Sequence, residues 1–230
     1  MEKEDTIGGD DEFTIEYLPE DYAQYDLSFK MIVIGDSGVG KSCLTTKAVK
    51  NNFEEFYQAT IGFEFLTFNL KMNDQVVKLQ IWDTCGQEVY RSLISNFYRN
   101  SSLACLLYAI DNRDSFNNAE NWLKELKSQA NPDVKIMLVG NKCDLEDERK
   151  VSKEEGENFK EKNQLNLFME TSAKTGVNAQ DFLIESAKIL YRDYLNNKNL
   201  YENENENSDV GKGKNLDDIT VKDKKGKCCQ

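Results

Sequence analysis

"FKMIVIGDSGVGKS", residues 29–42, decides the fold. Its first half is nearly continuous in apolar residues, as a strand buried on both faces should be, and it runs directly into a glycine-rich turn. That turn matches G-x-x-x-x-G-K-[ST] with Gly35, Gly40, Lys41 and Ser42, and a segment able to form a helix follows, the context that a phosphate-cradling loop requires. Glycines let the backbone curl so that successive N–H groups over Ser37, Gly38, Val39, Gly40, Lys41, Ser42 and Cys43 point at a β-phosphate. The helix N-terminus adds its partial positive charge. Lys41 then reaches the β- and γ-phosphates, and Ser42 Oγ offers Mg²⁺ an oxygen.

Outward from this stretch the chain alternates strand and helix. "GFEFLTFNLK" (62–71) and "QVVKLQIWD" (75–83) read as partly alternating strands joined through "MND" in a hairpin. "LACLLYAID" (103–111) and "VKIMLVGN" (134–141) read as buried strands, and "NLFMETS" (166–172) as a shorter sixth. Helical spacing falls between them, at 115–129 and 152–164, each opening with a serine able to cap, and at 178–195. This is the grammar of an α/β sheet covered on both faces. One domain is expected over residues 27–195. The polar, low-complexity stretch from 196 to 230 reads as a disordered tail, and residues 1–26 as a flexible acidic extension in which Phe13, Ile15, Tyr17 and Leu18 leave room for a docked segment.

Composition narrows the function. The net charge is −12, and residues 1–26 carry ten acids against Lys3 alone, so a duplex nucleic acid is not the expected partner. With no histidine in the chain, imidazole bases, Ser-His triads and imidazole zinc sites are excluded. The six cysteines (43, 85, 105, 143, 228 and 229) lack CxxC spacing and read as reduced thiols. No apolar run long enough to span a bilayer or to act as a leader is present, and Glu2 stands where myristoylation needs glycine.

A phosphate loop alone does not choose a base. "NKCD" (141–144) follows a buried strand, where the Asp144 carboxylate can accept from the N1–H and exocyclic amine of guanine while Asn141 serves the O6 side. Adenine offers that carboxylate no such donors, and a site built around buried pairing can reject the wrong ligand by about 10⁴ or more. "ETSAK" (170–174) closes the sixth strand, with Ser172, Ala173 and Lys174 placed so that the Ala173 N–H meets O6 and the Lys142 stem covers a face of the base.

In this order the motifs resemble the Ras superfamily of small GTPases, and "YQATIGFEF", "KLQIWDTCGQE", "YRSLISNFYRNS" and "GNKCDL" resemble its Rab branch, over roughly residues 27–195. The resemblance implies a P-loop NTPase fold, a six-stranded, mostly parallel α/β sheet with one antiparallel edge and five helices. It also implies two loops that differ between the GTP and GDP states. By the same carry-over, Thr60 closes onto Mg²⁺ and its backbone meets the γ-phosphate, Phe53 packs against the guanine edge, and Tyr57 lies over the phosphates. Asp83 holds Mg²⁺ through a water, the Gly86 N–H touches the γ-phosphate, and Gln87 orients the attacking water. Phe65, Trp82 and Phe97 match the exposed aromatic set that meets effectors; the alternative is that they are core aromatics.

Cys85 departs from the alanine of most relatives. Three outcomes stay open: the sulfur is absorbed as a small hydrophobe, it alters hydrolysis, or it confers redox sensitivity. Ser37 and Val89 are lesser departures that bear on which activators dock. No arginine lies between Lys50 and Thr60, so slow intrinsic turnover is expected, with a GTPase-activating protein and an exchange factor as partners. "KDKKGKCCQ" ends the chain with Cys228 and Cys229, a pair resembling the Rab double geranylgeranylation site, beside a lysine cluster suited to a bilayer. Expected partners also include effectors, a GDP dissociation inhibitor and a Rab escort protein, with the chain a monomer cycling between cytosol and the cytoplasmic face of an intracellular membrane in vesicle trafficking. The competing readings are a non-hydrolysing GTP-binding scaffold and a Ras- or Rho-type signalling GTPase.

Overall fold

In strand β2 (Leu27–Gly35) successive side chains face opposite ways, and both faces are covered: Met31 and Val33 enter one apolar core while Ile32 and Ile34 enter another. A computed structural model of the chain describes residues 13–53, 60, 62–86 and 97–207. Among these residues one sheet of seven strands forms: β1 (Ile15–Leu18), β2, β3 (Phe63–Met72), β4 (Gln75–Thr84), β5 (Leu103–Ala109), β6 (Lys135–Asn141) and β7 (Leu167–Glu170), in the spatial order β1-β3-β4-β2-β5-β6-β7. From β4 through β2, β5, β6 and β7 every pairing is parallel, and β3 runs antiparallel to both β4 and β1.

Helix α1 (Lys41–Lys50) and the last helix, α4 (Ala179–Asn207), cover the Met31/Val33 face, with Leu44 and Ala48 packed among Phe182, Leu183 and Ala187. On the other face α2 (Arg113–Gln129) and α3 (Lys153–Asn163) supply Ala119, Trp122, Leu123, Leu126 and Phe159. Every residue of β5 is buried, as its central place in a doubly covered sheet demands.

Three expectations are corrected. The sheet has a seventh strand, because residues 13–26 are folded onto it rather than forming a flexible extension throughout. Phe13 is buried edge-on against Tyr191 with ring centroids 5.2 Å apart, and the Arg192 guanidinium lies over its ring. Thr14 and Asn73 exchange hydrogen bonds at the hairpin tip, and the Pro19 and Glu20 carbonyls accept from Asn69 Nδ2. Second, the cap of α2 is Asn112, whose side chain accepts from the backbone N–H groups of Asp114 and Ser115, while Ser115 Oγ accepts from Ala109 N. The other serine does cap: Ser152 and Glu155 form a reciprocal capping box. Third, α4 continues to Asn207, past residue 195 where the apolar spacing ends, since extending a formed helix costs far less than starting one. Four α-helices fall among the described residues; residues 87–96, between β4 and β5, lie outside them.

Candidate nucleotide site

At the C-terminal edge of the parallel strands, Gly35 ends β2 and Gly40 precedes α1 with φ 91°. A side chain at Gly40 would be strained there and its Cβ would sit 2.4 Å from Asn141 Nδ2, so only glycine fits. No side chain caps α1 and no acid occupies its first turn, which leaves the helix N-terminus available to an anion. Lys41 is buried, its ammonium donating to the carbonyls of Gly35 (2.9 Å) and Asp36 (2.8 Å), with a further N–H left for a phosphoryl oxygen. Burial pushes the Lys41 pKa down, and the Asp83 and Asp36 carboxylates and Cys85 pull it back.

Ser42, Thr60 and Asp83 converge from α1, the loop before β3 and the end of β4. Ser42 Oγ lies 2.7 Å from Thr60 Oγ1 and donates to Asp83 Oδ2. Asp83 is fully buried, and desolvation lifts its carboxyl to about 6 against the opposing pull of the Ser42 hydroxyl and the Lys41 ammonium. Its second oxygen, Oδ1, is buried without a hydrogen-bond partner. A buried carboxylate oxygen without a donor beside two hydroxyls is a hard, all-oxygen set that fits Mg²⁺. Gly86 approaches the cradle so closely that a Cβ on it would come within 2.4 Å of both Lys41 Nζ and Ser37 N.

Beyond α2, the other end of the site is built by the C-terminal ends of β6 and β7. Asn141 is buried, its Nδ2 donating to the carbonyls of Val39 (2.9 Å) and Gly40 (3.4 Å), while its Oδ1 accepts from Thr171 Oγ1 (3.1 Å) and Ala173 N (3.4 Å). Asn141 is thus the pin that ties the phosphate loop to the base loops. Asp144 Oδ1 accepts from Ser172 Oγ at 2.5 Å, which orients the carboxylate. Lys142 adopts φ 66°, and its ammonium stands 3.6 Å from Asp111 Oδ2. Phe53 packs half-buried beside the first core, and Lys174 is exposed.

Phe65, Trp82 and Phe97 do come together, with Phe65–Trp82 and Trp82–Phe97 centroids each 5.2 Å apart. Phe65 is 46% exposed, whereas Trp82 and Phe97 rest half-buried on the second core. Phe63, not singled out from sequence, joins them at 5.1 Å from Trp82 and 4.8 Å from Phe97. Cys85 points into the second core, 2% exposed, which favours the absorbed-sulfur outcome over redox sensitivity. Tyr57, Gln87, Val89, Cys228 and Cys229 lie outside the described residues. Asp36, Asp111 and Thr171 were given no role from sequence: Asp36 and Thr171 fill variable places inside the quoted stretches, Asp111 ends the stretch read as a buried strand, and each touches a motif residue.

A backbone cradle ahead of a helix, an oxygen-only cation set and a carboxylate turned toward a base loop define a P-loop GTPase. Residues 30–192 match the Ras family. Similar chains include Ras-related protein RABA1b of Arabidopsis thaliana, 43% identical over 93% of this chain and 98% of that one. Ras-related protein RIC2 of Oryza sativa subsp. japonica is 41% identical over 93% and 97%, and Ras-related protein RABF2a of A. thaliana 46% identical over 73% and 83%. The chain belongs to the Ras family of small GTPases, of the Rab type, whose members are GTP hydrolases that bind GTP and GDP, generally with Mg²⁺.

Proposed function

We propose that this chain is a slow GTPase switch that carries its nucleotide state to a membrane and recruits effectors in vesicle trafficking. The observation that carries the reading is the convergence of Ser42, Thr60 and Asp83 next to Lys41, with Asp83 Oδ1 buried and unpartnered. In this reading the backbone of Ser37, Gly38, Val39, Gly40, Lys41, Ser42 and Cys43 cradles the phosphates, and Lys41 supplies a buried positive charge to the β- and γ-phosphoryl oxygens. Ser42, Thr60 and Asp83 would hold Mg²⁺, whose chemistry there would be to neutralise developing negative charge. Asp144 and the Ala173 N–H select guanine, Asn141 keeps the two loops in register, and Lys142 and Phe53 flank the base.

Gln87 orients the attacking water, by carry-over from the family pattern. By the family pattern, Thr60 and Gly86 are the roots of the two loops that differ between the GTP and GDP states, so loss of the γ-phosphate would release both. The aromatic surface of Phe65, Trp82 and Phe97, next to those roots, is where effectors would read the state. Cys228 and Cys229 carry geranylgeranyl groups; two chains, at about 0.8 kcal/mol per buried CH₂, anchor stably where one holds marginally. A GTPase-activating protein, an exchange factor, a GDP dissociation inhibitor and a Rab escort protein complete the cycle, with the GTPase itself a monomer on the cytoplasmic face of an intracellular membrane.

Single-turnover phosphate release from the purified, GTP-loaded chain tests the reading. The expected rate is on the order of 10⁻⁴ s⁻¹, falling further with Gln87→Ala and lost with Asp83→Ala. Fast unassisted turnover, or turnover indifferent to Asp83, would contradict it.

A further inference from the structure

Asp36 lies inside the phosphate loop, yet its carboxylate is turned away from the cradle and toward α2. Its Oδ1 accepts from Trp122 Nε1 and from Asn118 Nδ2, each at 2.7 Å. The two donors are four residues apart, so they stand on one face of the helix. Neither is free to swing. Trp122 is 1% exposed within the second core, and the Asn118 amide is oriented by Asn121 Nδ2, which donates to Asn118 Oδ1 at 2.8 Å.

The other side of the same residue faces the chemistry. Its backbone carbonyl accepts from Lys41 Nζ at 2.8 Å, and its carbonyl carbon lies 2.5 Å from where a Cβ on Gly86 would be. Asp36 therefore joins a rigid helix on one side to the phosphate lysine and the Gly86 segment on the other. A carboxylate accepting two short hydrogen bonds, one from an indole fixed in a packed core and one from a half-buried amide at its rim, is held more firmly than a loop residue held by backbone contacts alone.

We infer that Trp122 and Asn118 are positioning residues for the phosphate grip: through Asp36 they hold the start of the cradle and Lys41 in the geometry that binds a β-phosphate. This rests on the guanine-nucleotide reading above. It assigns to α2 a task that the nucleotide motifs do not reveal, because neither residue belongs to one and both reach the phosphate loop through the Asp36 side chain.

A merely structural bond would weaken all nucleotides alike, whereas a positioning role is specific to the β-phosphate. The test uses the full chain. Trp122→Phe keeps an aromatic side chain but removes the pyrrole ring with its N–H; Asn118→Ala, at the rim of the core, serves where the first variant folds poorly. Off-rates of a fluorescent GDP, competition by GMP, and ³¹P spectra of bound GDP are measured for each. GDP should leave about tenfold faster from Trp122→Phe, the scale of one lost hydrogen bond to a charged group, with the β-phosphorus resonance shifted and GMP affinity unchanged. In an Asp36→Ala background the Trp122→Phe effect should vanish. GDP off-rates within twofold of the parent in both variants, or equal weakening of GDP and GMP, would overturn the inference. Failure of the parent chain itself to hold GDP would instead overturn the reading beneath it.

Discussion

Asp83 and Asp144 are both acidic residues at strand ends, and their surroundings give them different tasks. Asp83 is buried among hydroxyls with one oxygen unpartnered, which suits a cation; Asp144 is half-exposed and its carboxylate is oriented by Ser172. Asp144→Ala should therefore reduce the preference for GDP over ADP by about 10³ or more, read as the ratio of competition constants, while leaving the Mg²⁺ dependence of binding intact. Cys85 leads to a different outcome: its sulfur fills the second core, so Cys85→Ala should leave single-turnover hydrolysis within about twofold and lower stability by about 1 kcal/mol in denaturant melts. A larger change in rate would mean that the sulfur crowds the loop after all. Lys41, Ser42, Asn141 and Asp144 were legible in sequence because each sits in a contiguous string whose spacing is the chemistry. Asp36 was not, because its partners Asn118 and Trp122 lie 82 and 86 residues away and nothing local marks them.

At the scale of elements, the doubly buried strands and the periodic helices were readable, since burial on two faces writes a continuous apolar run and burial on one writes a period. Strand β1 was harder to read. It is four residues long, lies in an acidic segment, and owes its place to a distant edge: Phe13 meets Tyr191 and Thr14 meets Asn73. The segment closes the open edge of β3, which would otherwise present unpaired backbone groups. Phe13→Ala should cost about 3 kcal/mol and lower the melting temperature by several degrees, without changing the GDP off-rate. An unchanged melting temperature would show that the arm is not part of the cooperative unit. The start of α3 gives a pH signature. The Arg113 guanidinium, then the Ser152 backbone N–H, hold the Glu155 carboxyl at about 2, below its ordinary 4.5. Because this pKa is depressed on folding, the stabilisation is present above pH 4.5 and is lost as pH falls toward 2. The melting temperature of the parent should thus exceed that of Glu155→Gln at pH 6, with the gap closing through that window; a gap independent of pH would contradict the assignment.

Across the whole molecule, two halves of one site are tied through the sheet. The phosphate loop leaves β2 and the base loops leave β6 and β7, and Asn141 bonds one to the other across the intervening β5. In the proposed function, anchoring falls to Cys228 and Cys229. A tagged chain should lose its membrane fraction when Cys228 and Cys229 are both changed to serine, while its hydrolysis rate in solution stays the same; retention on membranes would rule out double lipidation as the anchor. The most direct measurement of the central claim is calorimetric titration of the nucleotide-free chain with GDP and with ADP, each with and without Mg²⁺. The account predicts tight GDP binding strengthened by Mg²⁺ and ADP weaker by about 10⁴. Equal affinity for the two bases, or binding of GDP that ignores Mg²⁺, would contradict it.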